Sequence, residues 1–199
     1  MSISASAVKE LRDKTNAGMM DCKNALTECN GDVEKAIDWL RLRGLSLAAK
    51  RADRQSSEGQ IMTYVHGAGR LGVMVEVNCE TDFTGKTEEF TTFARDLAMQ
   101  IAATNPVCIT REEMPEAILQ REKNIYLAQV KESGKPEKIW DKIIEGKVQK
   151  FYNESCLLQQ AFVKDPDKTI EDLLNEMRAK TGENIQIRRF ARFALGEQA

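Results

Sequence analysis

Three sets of residues in this chain have types and spacings that bear on chemistry. The first is Gly85-Lys86-Thr87, set between an alternating apolar stretch and a helical pattern. A phosphate-cradling loop places a lysine and a hydroxyl after glycine in that setting, and needs a second glycine five residues upstream. Position 80 is Glu, whose carboxylate would stand where phosphate oxygens belong, so a nucleotide-binding enzyme using Lys86 and Thr87 is disfavoured. The second set is the single histidine, His66, with Cys22, Cys29, Cys79, Cys108 and Cys156. No two cysteines have C-x-x-C spacing, and one histidine excludes a multi-histidine zinc or catalytic arrangement. A Cys79–His66 nucleophile pair competes with an inert buried thiol, and the apolar phase around Cys79 favours the latter. The third set is Thr81-Asp82-Phe83, an acid and an aromatic ring side by side. Two readings remain open for it: a turn whose ring folds into the core, or a rigidly held pair that reaches outward.

These residues depend on the stretch before them. Leu71, Val73, Val75, Val77 and Cys79 alternate with Gly72, Met74, Glu76 and Asn78. A period of two with β-branched residues on one face predicts a half-buried strand. Ile61 to Val65 predicts a second strand, and His66-Gly67-Ala68-Gly69-Arg70 joins the two as an antiparallel hairpin. Phe90, Phe93, Ala94, Leu97 and Ile101 predict an amphipathic helix that ends at Asn105-Pro106.

On the N-terminal side, Val8 and Leu11, then Met19, Cys22, Ala25 and Leu26, then Val33, Ala36, Ile37 and Leu40 predict three short helices. Asn30-Gly31 ends the second, Asp32 caps the third, and Gly44 is placed as its stop. Met19 and Met20 are adjacent and cannot share one helix face, so at least one is exposed, adaptable apolar surface. A connector follows: Ala48-Ala49-Lys50-Arg51-Ala52 reads either as a short helix or as coil, and Gln55-Ser56-Ser57-Glu58-Gly59 as a polar linker. Downstream, Thr110-x-x-Glu113 reads as a capping box and Pro115 as a first helical position. Two helices joined at Ser133-Gly134-Lys135-Pro136 then form an antiparallel pair, and residues 153–168 read as extended. Ile170, Leu173, Leu174 and Met177 predict another helix, ended by Gly182, and a last strand starts at Ile185 with a bulge near Arg188-Arg189.

The expected fold class is α+β. Residues 1–44 form a helical module, 45–58 a connector, and 59–199 a core. That core has a small antiparallel three-stranded sheet, covering helices and a helical hairpin near 115–152. Lys and Arg number 29 against 31 Asp and Glu, a net charge of −2, so no global field draws the chain to nucleic acid. Arg188, Arg189 and Arg192 read better as a charged edge strand than as an RNA site. No apolar run approaches the roughly 20 residues of a membrane span, and the N-terminus lacks the pattern of a secretion signal.

Glu76-Val77-Asn78-Cys79 followed by Thr81-Asp82-Phe83 resembles a signature of the elongation factor Ts family. The resemblance extends to Val8-Lys9-Glu10-Leu11-Arg12, Ala17-Gly18-Met19-Met20-Asp21-Cys22-Lys23-Asn24-Ala25-Leu26, the His66 turn, Ser133-Gly134-Lys135-Pro136 and Gly182-Glu183-Asn184-Ile185. It covers nearly the whole chain, with Thr84-Gly85 where the family usually has Val-Ala. The resemblance implies a ubiquitin-associated-like N-terminal module and a short-form, homodimeric member. It implies a guanine-nucleotide exchange factor of translation elongation that binds elongation factor Tu in its GDP-bound and nucleotide-free states. It further implies that Thr81, Asp82 and Phe83 form an exchange wedge. Met19, Met20, Lys9, Arg12, Lys23, Lys50, Arg51 and His66 are the implied secondary contacts. No cofactor, metal, catalytic residue, membrane or direct nucleic acid is implied, whereas a cytoplasmic location is.

Overall fold

The computed structural model describes residues 3–15, 17–51 and 53–197; Met1, Ser2, Asn16, Ala52, Gln198 and Ala199, at the ends and joints of the expected segments, lie outside them. The fold is α+β, with an N-terminal run of three helices and a small antiparallel three-stranded sheet. The chain divides into two compact units, one of residues 1–60, 77–93 and 172–186, the other of residues 61–76, 94–171 and 187–199.

The first unit begins with α1 (Ala5–Thr15), α2 (Met19–Glu28) and α3 (Val33–Arg51). Their apolar spacings meet in a small core of Val8, Leu11, Cys22, Ala25, Leu26 and Ala36. After α2, Asn30 and Gly31 both take positive φ, and the Gly31 amide returns to the Leu26 carbonyl at 2.8 Å. That closes the helix end, and Asp32 then accepts the Lys35 amide at 3.1 Å to start α3. The sequence places the end of α3 at Gly44; in the structure the helix continues to Arg51. Gly44 takes no left-handed turn. A Cβ there would lie 3.6 Å from the Ala179 Cβ, so the glycine accommodates a neighbouring helix instead of stopping its own.

Strands β1 (Glu58–His66), β2 (Leu71–Cys79) and β5 (Gln186–Ala194) form the sheet in the order β1-β2-β5. The β2 alternation holds as read: Val73, Val75, Val77 and Cys79 are buried and Met74 is exposed. Between β2 and β5 the chain makes α4 (Asp82–Gly85), α5 (Glu88–Thr104), α6 (Glu116–Glu132) and α7 (Trp140–Ser155). A two-stranded ribbon of β3 (Ala161–Phe162) and β4 (Asp165–Thr169) and helix α8 (Ile170–Thr181) follow.

In the second unit α6 and α7 pair as a helical hairpin closed by Gly134 at φ +67, and Trp140 donates its indole N–H to the Lys135 carbonyl at 2.8 Å. Two sequence expectations are corrected here. Thr110 starts no helix, because Glu113 accepts the Ile109 amide at 3.1 Å in a turn, and α6 begins only after Pro115. Residues 153–155 continue α7 and residues 157–159 form a 3-10 turn, so neither stretch is extended. The Cys108 and Cys156 thiols lie 3.5 Å apart in a cluster with Met114; burial pushes Cys108 up to about 12. Gln100 is fully buried, donating to Gln160 and the Ala161 carbonyl and accepting the Val163 amide. Such a saturated polar network fixes one packing arrangement in an otherwise apolar interior.

Candidate functional site

Strand β2 ends at Cys79 and the chain turns sharply into α4, in the first unit. Thr81 is the N-cap, with extended backbone, and its hydroxyl oxygen accepts the Thr84 amide at 3.3 Å. A helix of one turn has almost no stability of its own, so this geometry needs outside support. Glu183 supplies much of it. Its carboxylate accepts the Glu80 amide at 3.0 Å, the Thr81 amide at 3.2 Å, the Thr81 hydroxyl at 2.6 Å and the Thr84 hydroxyl at 2.7 Å. In return, the Glu80 carboxylate accepts the Asn184 amide at 2.7 Å and lies 3.4 Å from Arg54.

Beneath the turn the backbones come close. Gly59 has φ +131, and a Cβ there would sit 2.1 Å from the Val77 carbonyl oxygen. A Cβ on Gly85 would lie 3.3 Å from the Gly59 Cα and 3.4 Å from the Cys79 sulfur. The Gln60 side-chain amide donates to the Gly85 carbonyl at 2.6 Å. Cys79 donates to the Thr81 carbonyl at 3.1 Å, and its thiol is pushed up to about 11 by burial first and by the Glu183 and Glu58 charges second. It is therefore a neutral structural thiol.

This scaffold leaves Phe83 78% exposed. Composition alone favours a buried ring; the structure turns it outward because Thr84 and Gly85, not Phe83, occupy the inner side of α4. Asp82 is exposed beside it and pairs with Lys86 at 2.6 Å, which holds its carboxyl below the ordinary range. The same geometry disposes of a phosphate cradle: Gly85 is buried against β1, Lys86 is engaged with Asp82, and Thr87 caps α5 by accepting the Phe90 amide at 3.2 Å.

The other expected contacts are spread more widely. Met19 is 46% and Met20 66% exposed at the start of α2, and Lys9, Arg12 and Lys23 are exposed on α1 and α2. Lys50 is exposed and Arg51 half-buried at the end of α3, with the Arg51 guanidinium near Gly182. His66 lies in the second unit, exposed, stacked on Tyr64 and sharing a 3.0 Å hydrogen bond with its hydroxyl. Arg189 and Arg192 are engaged by Glu76 and Glu197.

Glu183 is the residue that sequence reasoning passed over. Burial pushes its carboxyl up, but the Thr81 and Thr84 hydroxyls and the Thr81 and Glu80 amides together hold it below its ordinary 4.5. A carboxyl lowered by folding contributes stability that is complete above its unfolded value and lost as pH falls through the lowered folded one. Glu183→Gln is expected to cost about 1–3 kcal/mol in urea unfolding near neutral pH. The deficit against the parent should begin to shrink as pH falls below the ordinary 4.5 and should close only once pH has passed below the lowered folded value, where the parent's carboxyl is also neutral. A deficit constant across that range would show that charge plays no part in the clamp.

Fold and site together define an α+β protein in which a braced turn presents an exposed aromatic ring. The family model described as Elongation factor TS matches residues 3–197, and the chain belongs to that family. It is 62% identical over 195 residues to an elongation factor Ts of Desulfosudis oleivorans, with 98% of each chain covered. An elongation factor Ts of Caldanaerobacter subterraneus is 60% identical over 98% of both chains, and one of Syntrophus aciditrophicus 59% over all of this chain and 98% of its own. Among the described residues no helix is long and apolar enough to cross a membrane.

Proposed function

We propose that this chain is a cytoplasmic translation elongation factor that catalyses GDP release from elongation factor Tu by binding and stabilising its nucleotide-free state. The observation that carries the reading is Phe83, a large apolar ring held in solvent on a turn braced from several sides. Exposed aromatics on rigid supports are efficient binding anchors, because little conformational entropy remains to be lost. Phe83 enters an apolar cleft of the partner near its nucleotide's Mg²⁺, and Thr81 and Asp82 hold the displaced arrangement. Met19 and Met20 anchor the helical module, with Lys9, Arg12, Lys23, Lys50, Arg51 and His66 as surrounding contacts.

No bond is made or broken by this chain, so it acts as an exchange factor and not as an enzyme. The physics is linkage: a factor that weakens GDP binding is weakened by GDP to the same extent. A coupling of about 4 kcal/mol weakens the nucleotide roughly a thousandfold. The test is release of fluorescent GDP from elongation factor Tu with and without this protein; no acceleration at micromolar concentrations would sink the reading.

The chain acts as a homodimer. In the second unit, Ile61, Val65, Met74, Phe193 and Leu195 are all exposed. The Arg189–Glu76 pair and the bond from the Leu195 amide to the Arg70 carbonyl set the β2–β5 register, which puts Phe193 across from Gly72. An apolar sheet face of this kind is what a partner subunit covers. Light scattering should give twice the chain mass, falling to the monomer for Phe193→Glu; a parent that is already monomeric would overturn the assignment.

A further inference from the structure

We propose that Glu183 is the positioning residue of the Phe83 turn, an inference that rests on the exchange reading above. The bonds that Thr81, Asp82 and Phe83 make locally stay within one turn of chain and do not tie that turn to the rest of the unit. Asp82 pairs with Lys86, which is exposed and within the same turn. Thr81 caps a helix only four residues long. Glu183 instead arrives from about a hundred positions away and gathers the last amide of the strand exit, the N-cap residue and the inner side of α4.

The carboxylate is suited to this because both its oxygens accept. Oε2 takes the two backbone amides of Glu80 and Thr81, and Oε1 takes the two hydroxyls of Thr81 and Thr84. Glu183 is itself fixed: Gly182 before it turns at φ +72, its own amide donates to the Thr181 hydroxyl at 3.3 Å, and the next amide, of Asn184, is held by Glu80. The two segments are cross-laced, each carboxylate accepting from the other's backbone. Thr84 is 6% exposed, so its hydroxyl faces Glu183 and not a partner.

Glu183 therefore sets the fraction of molecules in which Phe83 is presented for insertion. Lowering that fraction lowers exchange in proportion, while docking through the N-terminal helices continues. The experiment measures GDP release from elongation factor Tu over a range of factor concentrations for the parent, Glu183→Ala, Thr84→Val, Phe83→Ala and the Phe83→Ala/Glu183→Ala double variant. Circular dichroism melts check each fold. Glu183→Ala is expected to lower the maximal rate about tenfold with less than about a threefold change in the half-saturating concentration. Thr84→Val, which removes one donor at constant volume, should lower it about twofold and carries the test if Glu183→Ala does not fold. The double variant should be no slower than Phe83→Ala alone, because Glu183 acts through the ring.

A folded Glu183→Ala, or in its place Thr84→Val, with the parent's maximal rate overturns the inference. So do losses at Glu183 and Phe83 that multiply in the double variant, since they would mean independent actions. A parent-like Phe83→Ala removes the wedge reading and this inference with it. Loss at Phe83 without loss at Glu183 removes the inference alone.

Discussion

Alanine at position 83 is expected to abolish most of the acceleration of GDP release while leaving thermal stability within about 0.5 kcal/mol of the parent. The two halves of that expectation have separate causes. The ring is 78% exposed, so the fold loses almost no buried area when it is cut back. In the complex the same ring enters an apolar cleft, where burying a phenylalanine contributes about 1.5–3 kcal/mol and hot-spot truncations cost 2 or more. The acceleration at subsaturating factor should fall roughly ten- to a hundredfold. Phe83→Leu, which keeps part of the apolar volume, should lie between. Stopped-flow release of a fluorescent GDP, with melts run in parallel, separates the outcomes. Full acceleration by a folded Phe83→Ala would move the anchoring role to Met19 and Met20, the exposed apolar residues among the other expected contacts.

What the sequence disclosed and what it hid follow from the range of the interactions. The β2 alternation, the Asn30-Gly31 helix stop and the Asp32 cap rest on contacts within a few residues, and each stands in the structure. The capping-box pattern at Thr110 is also local, but Glu113 is drawn to the Ile109 amide in a turn, so spacing alone misplaced a helix start. Gly44 carries the residue type of a stop and serves as a point of close approach to Ala179, which no local pattern can distinguish. At the candidate site, Asp82 and Phe83 stood out by type. Their support did not: Gly182-Glu183-Asn184-Ile185 carries family resemblance, but Glu183 and Asn184 lie about a hundred residues away and nothing in their type ties them to this turn. The same holds for Gly59 and Gly85: their closeness exists only once β1 lies beside β2.

Gly59→Ala is accordingly expected to be among the most damaging small substitutions in the chain, although position 59 is exposed and adds only a methyl group. Its φ of +131 lies where an L side chain is strained, and the added Cβ would meet the Val77 carbonyl oxygen at 2.1 Å and the Asn78 Cα at 2.9 Å. Both obstacles are backbone atoms of the adjacent strand, which cannot swing aside as a side chain can. Strain of about 1–3 kcal/mol and overpacking of similar size add to a loss of about 2–6 kcal/mol, read as a lowered urea midpoint. Gly146→Ala in α7 is the control. It has nothing within 4 Å of its Cβ position and no positive φ, and alanine is the better helix former, so its midpoint should not fall below the parent's. The damage at Gly59 should also reach function, because the Gly85 backbone rests on the Gly59 Cα and α4 carries Phe83. A folded remnant of Gly59→Ala should therefore release GDP from elongation factor Tu more slowly than its stability alone accounts for. If Gly59→Ala instead keeps the parent's midpoint, β1 can retreat from β2 at no cost. The close backbone approach beneath the turn would then not be what holds Phe83 out.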